Sequence, residues 1–257
     1  MDDIQLKICV LASGSKGNST YVATKTTSLL IDLGISCLNA EKKLYDINSS
    51  PKEIKSILIT HTHVDHINGL KVFIKKYNPT IYLTKKMYKE LSTIIELNNF
   101  IIIEDDFIIG DIKIEIVKTS HDVSDSNGYI LTTQSSSLVY ITDTGYINKK
   151  YYAKLKNKKI YILESNHDVE KLMNGPYPYH LKQRILGDKG HLSNNDCAYY
   201  LAKLIGNDTK YVILAHISEE NNDESLAFDT INSKVGNRLE KIIVANQKER
   251  TELIKIW

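Results

Sequence analysis

Cysteine is scarce: Cys9, Cys37 and Cys197 are the three in 257 residues, far apart and without a CxxC pair. That excludes a disulfide framework and favours a reducing, cytoplasmic setting over secretion. Long apolar runs are also missing. None approaches the roughly 20 residues needed to span a bilayer, so a soluble chain without a membrane partner is expected. The opening MDDIQLKICVLAS is acidic first and apolar second, the reverse of a signal peptide. With only four Pro and twelve Gly, and no linker, low-complexity tract or strong repeat, residues 1–257 read as a single domain. That length can bury a substantial core. Arginine is nearly absent, with only Arg184, Arg238 and Arg250, and the net charge of +2 is too small to announce a nucleic-acid binder. The abundance of Lys, Tyr, Ile and Asn reads as an AT-rich coding bias, which weakens any argument from lysine counts. The oligomeric state is left open, a homodimer included.

What is present is a regular succession of short apolar runs. QLKICVLAS, STYVATK, TSLLIDLG, SILIT, TIYLT and FIIIED have strand composition, with helix-length segments at 66–77 and 85–97 between the later ones. Hairpin-like regions follow at 106–119 and 128–143. Then come a helix at 148–157, the strand KIYILES, and a long loop holding Pro176 and Pro178. A helix opens behind Ser193 as N-cap, followed by the strand KYVILAHIS, a helix at 223–235 and two terminal strands. Strand–helix alternation on both sides of a central hairpin region suggests an α/β fold, an αββα sandwich with two facing sheets and helices outside.

The chemistry concentrates in THTHVDHINGL, residues 60–70, which sets His61, His63, Asp65 and His66 directly after SILIT. If the strand end continues extended, His61 and His63 leave on one face, while Asp65 and His66 begin a helix and turn to another. Ligands at that spacing are awkward around one ion but natural for two ions side by side. Imidazole and carboxylate together suit zinc, manganese or iron. A His-rich surface loop is the bland alternative, and four ligand-type residues at one junction, in a chain with eight His, argue against it.

HTHVDH matches the HxHxDH signature, and on it the chain resembles the metallo-β-lactamase superfamily, whose αββα sandwich agrees with the order above. The resemblance implies further site residues. His121 in TSHDVSDSNGY corresponds to the third histidine of the first metal, Asp143 in YITDTGY to the carboxylate bridging both metals, and His216 in VILAHIS to the last ligand of the second. Asp32 in LLIDLG would accept the free N–H of a ligand imidazole and fix its orientation, or merely stabilise a turn before Gly34. No cysteine lies near Asp143, unlike class B1 β-lactamases. The terminal strands KIIVANQ and TELIKIW leave no room for the helical domain of glyoxalase-II enzymes.

GHLS at 190–193 places His191 in the GHxS context of the phosphodiesterase and nuclease branch that includes tRNase Z. There this histidine contacts the scissile phosphate and protonates the leaving oxygen, a role suited to a helix N-terminus with free N–H groups. Helix capping alone is the other reading. LASGSKGNSTYV, LESNHD, YPYHLKQRILGDKGHLSNNDCA and LAHISEENN extend the likeness over nearly the whole chain to YycJ/VicX-type (WalJ-like) bacterial proteins. These are regarded as 5′ to 3′ double-strand DNA exonucleases with a proposed link to mismatch repair. Only 73 residues separate Asp143 from His216, too few for a β-CASP insertion, and 69–121 is too short for a tRNase Z arm.

The implied reaction is phosphodiester hydrolysis assisted by two divalent ions, zinc or manganese, with iron as an option. Asp65 or Asp143 would steer the proton of the attacking water, and His191 would serve the departing oxygen. Glu164 and His167 would support His191 or touch substrate, as would Asn221 and Asn222 beside His216. The backbone of SGSKGNS (13–19) could approach a phosphate. NKKYYAKLKNKK (148–159), with six lysines, is a candidate for sequence-nonspecific DNA contact, although a solvated helix weighs slightly more. A phosphodiesterase for cyclic nucleotides, a tRNase Z-like RNA nuclease and a non-catalytic metal-binding partner are the alternatives.

Overall fold

In LKICVLA, Ile8 and Val10 turn to one apolar surface and Cys9 and Leu11 to another, as the two-residue period of a strand requires. The same alternation recurs through the chain and builds three apolar layers. A computed structural model describes residues 6–256. Residues 1–5, which hold the acidic opening and the start of QLKICVLAS, and Trp257, which closes TELIKIW, lie outside the described residues.

Strands β1 (Leu6–Ala12), β2 (Ser19–Ala23), β3 (Ser28–Ile31), β4 (Ser56–Leu58), β5 (Thr80–Leu83) and β6 (Phe100–Ile102) lie side by side in chain order. A second sheet holds β7 (Phe107–Ile109), β8 (Ile112–Lys118), β9 (Asn127–Thr132), β10 (Ser137–Ile141), β11 (Ile160–Glu164), β12 (Tyr211–Ala215) and β13 (Lys241–Val244), again in chain order. The last strand, β14 (Ile254–Ile256), returns to the first sheet beside β1. Each sheet begins as an antiparallel meander and turns parallel after β3 or β10.

Parallel neighbours need crossovers, and helices supply them. In the first half these are α1 (Cys37–Tyr45), α2 (Val64–Ile67), α3 (Leu70–Tyr77) and α4 (Lys85–Leu91). In the second they are α5 (Tyr152–Leu155), α6 (Val169–Asn174), α7 (Tyr179–Leu186), α8 (Asn194–Leu204) and α9 (Glu224–Val235). Ile31, Leu58, Ile114, Tyr140 and Ile213 fill the space between the sheets. Leu44, Phe73 and Met87 cover the outer face of the first sheet, and Leu201, Leu204 and Ile231 that of the second. The αββα sandwich expected from the sequence is therefore the fold. No helix among the described residues is long and apolar enough to cross a membrane.

Three helical assignments differ from the sequence reading. The segment 66–77 is two helices, α2 and α3, because the chain bends at Gly69, whose N–H bonds to Leu33 O at 2.9 Å. The stretch 148–157 is a 3₁₀ turn (Lys149–Tyr151) continued by the single turn α5. The loop around Pro176 and Pro178 contains two helices. Asp168 caps α6 through the Lys171 N–H, and Pro178 is the N-cap of α7, where the missing N–H costs nothing.

Candidate metal centre and substrate cleft

The predicted ligands emerge from one end of the sandwich, just past the C-terminal ends of β3, β4, β8, β10 and β12. Three of these residues, Asp32, Asp143 and His216, have left-handed backbones with φ of 59°, 55° and 57°. For a residue with a Cβ that conformation costs about 1–2 kcal/mol. Such strain persists where surrounding structure holds it, and it clusters at functional sites. Here each turn swings a polar side chain inward from the end of an apolar strand.

The seven side chains converge. Nε2 of His61 and Nε2 of His121 approach His63 Nδ1 at 3.2 and 3.3 Å, giving three imidazoles that could hold one ion. Asp65, His66 and His216 form a second group, with Asp65 Oδ2 at 3.5 Å from His66 Nε2 and 3.6 Å from His216 Nε2. Asp143 lies between the two groups, Oδ2 at 3.3 Å from His66 Nε2 and Oδ1 at 3.4 and 3.9 Å from His216 and His121. Asp143 Oδ2 and His216 Nε2 are buried without a hydrogen-bond partner among the described residues. Buried orphan atoms of that kind are costly, and with clustered imidazoles and carboxylates they fit divalent cations of borderline hardness.

The two groups differ electrostatically. Burial, reinforced by the neighbouring His66, pushes His61 well below the ordinary imidazole range, and burial also lowers His121. Burial acts the same way on His66, but the carboxylates of Asp143 and Asp32 outweigh it and raise that ring to about 10. His216 is likewise raised against its burial, chiefly by Asp143. The first group thus offers at least two neutral rings, whereas the second holds protons that a cation must displace.

Buried contacts behind the ligands fix their directions. Asp32 Oδ2 meets His66 Nδ1 at 2.7 Å, and Thr60 donates to both oxygens of Asp32. Glu164, fully buried, places Oε1 at 2.7 Å from His191 Nδ1 and 2.9 Å from His216 Nδ1, while its other oxygen accepts from the Thr144 and Leu192 N–H groups. His191 and these bonds hold Glu164 down to about 2 despite its burial. Asn166 donates to His216 O at 2.8 Å, and Asn18 reaches Asp65 and His66. Thr60, Asn18 and Asn166 were not singled out from sequence. Thr60 lies inside the motif, and Asn18 and Asn166 lie inside SGSKGNS and LESNHD, where nothing marks their side chains in particular.

Four expectations change. Asn222 is not open to substrate, because its amide is fully engaged with Ser165 O, Asn166 O, Asn194 and the Asp223 N–H. Asn221, by contrast, lines the cleft with Oδ1 unpaired. His167 is buried behind Glu164 in a bridge to Ser193 and does not line the cleft; burial lowers it to about 4. In the 13–19 loop the N–H groups of Gly14, Lys16 and Gly17 bond internally or to Gln247, so a phosphate could meet chiefly Ser15. The N-terminal amides of α8 are also engaged, by the Ser193–Asp196 capping box and His167 O. Any anion contact there falls to the His191 side chain.

A cleft of about 210 Å³ opens beside His121, His191 and His216, walled by Tyr177, Arg184 and Asn221. Arg184, on α7, is ion-paired with Asp122, whose other oxygen lies 3.4 Å from His121 Nε2. A larger cavity of about 530 Å³ lies at the opposite end of the sandwich, among Lys7, Thr27 and Lys55. It contains none of the clustered ligands, so the smaller cleft is where chemistry can occur.

Residues 27–217 match the family described as the Beta-lactamase superfamily domain, and the chain belongs to that superfamily. Within it the similarity is to the YycJ type. "Exodeoxyribonuclease WalJ" of Streptococcus pneumoniae serotype 2 is 39% identical over 238 residues, covering 90% of this chain and 88% of that protein. "Exodeoxyribonuclease YycJ" of Bacillus anthracis is 37% identical over 227 residues, 86% of each. Among solved structures, the metallo-β-lactamase fold protein YhfI from Bacillus subtilis superposes with a TM-score of 0.73 at 15% identity, over 97% of this chain and 99% of that one. That likeness concerns the fold alone.

Proposed function

We propose that the chain is a dinuclear-metal-dependent phosphodiesterase that degrades double-stranded DNA from its ends, working as one domain without a β-CASP insertion. The observation that carries this reading is the meeting of the seven ligand-type side chains with the Glu164–His191 pair at their open side. The substrate class follows the two similar exodeoxyribonucleases.

His61, His63 and His121 would hold one cation, Asp65, His66 and His216 the other, and Asp143 both. When bound, two zinc or manganese ions supply Lewis acidity and lower the pKa of an attacking water. The chain's own residues do the rest. Asp65, the most open of the second group, accepts the proton that the water gives up. Glu164 fixes the His191 ring through Nδ1, which leaves Nε2 turned to the substrate as donor to the departing oxygen. Oε1 of Glu164 also meets His216 Nδ1, and its other oxygen is anchored by two backbone N–H groups, so one fixed carboxylate aligns both rings. Ser15, Arg184 and Asn221 line the path of the strand being cut.

Metal-loaded protein should release nucleotides from the 5′ ends of end-labelled duplex DNA. His61→Ala should lose both metal and activity, while His191→Ala should keep its metal and lose at least 100-fold in kcat. Duplex ends left intact while RNA or cyclic diesters are cleaved would overturn the assignment.

A further inference from the structure

The NKKYYAKLKNKK stretch divides in the folded chain. Lys158 and Lys159 lead into β11, at the end of the sheet remote from the metal-ligand cluster, but its first half lies at the rim of that cluster. Tyr151 Oη accepts from the Lys118 N–H at 3.2 Å, three residues before His121. The Ser120 N–H bonds Thr144 Oγ1 at 3.0 Å, and the Gly145 N–H bonds Ser120 O at 3.0 Å. The segments carrying His121 and Asp143 are thereby tied to the Lys149–Tyr151 turn.

From that rim a row of tyrosines and ammonium groups continues down the flank. Lys150 and Lys154 lie over the Tyr151 ring, 4.9 and 5.6 Å from its centre. Tyr152 packs edge-on against Tyr200 of α8 at 6.3 Å, and Tyr200 against Tyr199 at 5.3 Å. Lys203 lies 4.0 Å from the centre of the Tyr199 ring, which is 47% exposed. Lys203 and, less strongly, Lys149 hold the Tyr199 hydroxyl below its ordinary range.

Lysines set over and between tyrosine rings separate this surface from an ordinary solvated face. Elsewhere Lys16, Lys76, Lys171, Lys210 and Lys241 each pair with a carboxylate, whereas Lys71, Lys75, Lys85 and Lys89 have no ion pair among the described residues. On the flank, Lys118 has Asp125 and Lys154 has the more distant Glu115 at 3.9 Å. Lys149, Lys150 and Lys203 have no ion pair among the described residues. A run of cations interleaved with tyrosines, three of them without an ion pair, matches a polyanion. Lysine ammonium groups act as point charges and read no base edges, so they suit a phosphate backbone of any sequence.

We propose that the surface from Lys118 through Lys149 and Lys150 to Tyr199 and Lys203 is the track along which the uncut duplex DNA lies while its end occupies the cleft. The inference rests on the exodeoxyribonuclease reading. The test compares manganese-loaded wild type with Lys149→Glu/Lys150→Glu/Lys203→Glu, and with the corresponding triple Gln variant, which removes charge without adding repulsion. Binding of a fluorescent 40-base-pair duplex is followed across a salt series, together with digestion of that duplex and hydrolysis of bis(p-nitrophenyl) phosphate.

The Glu variant should raise KM for duplex at least tenfold and leave small-diester turnover within twofold of wild type. The Gln variant should flatten the log–log salt dependence by roughly 2.7, about 0.9 per lysine removed. Unchanged duplex affinity and salt slope in both variants would overturn the track while the exonuclease reading stands. So would a loss confined to single-stranded DNA or RNA. Wild type that leaves duplex uncut would instead defeat the exonuclease reading itself.

Discussion

His66 and His61 stand five residues apart, yet the chain holds them in opposite states. Burial keeps His61 neutral, whereas Asp143 and Asp32 overcome burial at His66 and raise it to about 10. The metal-free second group therefore keeps protons at neutral pH that the first lacks. A folded-state pKa raised in this way means that the proton opposes the cation at every pH below it. Cation affinity at Asp65, His66 and His216 should rise with pH, roughly tenfold per unit for each proton released, over the range up to about 10. Affinity at the group that contains His61 and His121, whose rings burial holds low, should change much less above neutrality. Calorimetric titration in buffers of different ionisation heat resolves this as two steps, with proton release confined to the weaker step near neutral pH. Equal proton release in both steps would contradict the asymmetry. Most of the clustered side chains were legible because four of the seven residues crowd into HTHVDH. Asn18 and Arg184 were not, since the one reaches Asp65 and the other Asp122 only through tertiary folding.

The short helix α2 depends on neighbouring loops for its position. The Asn18 N–H bonds Asp65 O at 2.7 Å and the Leu33 N–H bonds His66 O at 2.9 Å, so the β1–β2 and β3–α1 loops lie directly against the helical turn. Gly34 permits that approach, because a Cβ there would fall 1.6 Å from the Asp65 carbonyl oxygen. Gly34→Ala should displace Asp65 and His66 together. Elemental analysis should then find metal content falling from two ions per chain towards one, with a lowered denaturation midpoint. Retention of two tightly held ions would show that α2 can move without loss. The sequence indicated a helix at 66–77 through its apolar spacing, but the break at Gly69 comes from backbone packing that periodicity does not carry. In the same way, α6 and α7 were hidden by two prolines that open and punctuate helices rather than exclude them.

Each sheet carries part of the site: His61, His63, Asp65 and His66 follow β4 of the first, while His121, Asp143 and His216 follow strands of the second. The two-sheet architecture was readable from the order of apolar runs. Return of β14 to the first sheet was not, since an edge strand of IKI can pair with any free edge. Ions held across this junction bind the native state and not the unfolded chain, so they should stabilise the molecule as a whole. At a free cation concentration a hundredfold above Kd the gain is about 2.7 kcal/mol for each ion. Removal by a chelator should lower Tm by roughly 5–10 °C for each ion lost, and added manganese or zinc should restore it. An unchanged Tm would place the ions outside the sandwich.

Because the carboxylate between the two ligand groups comes from one sheet and four of its companions from the other, neither half of the chain can assemble a cutting centre by itself. A chain with either half unfolded lacks part of the constellation, so the chemistry of the centre is conditional on both sheets being docked.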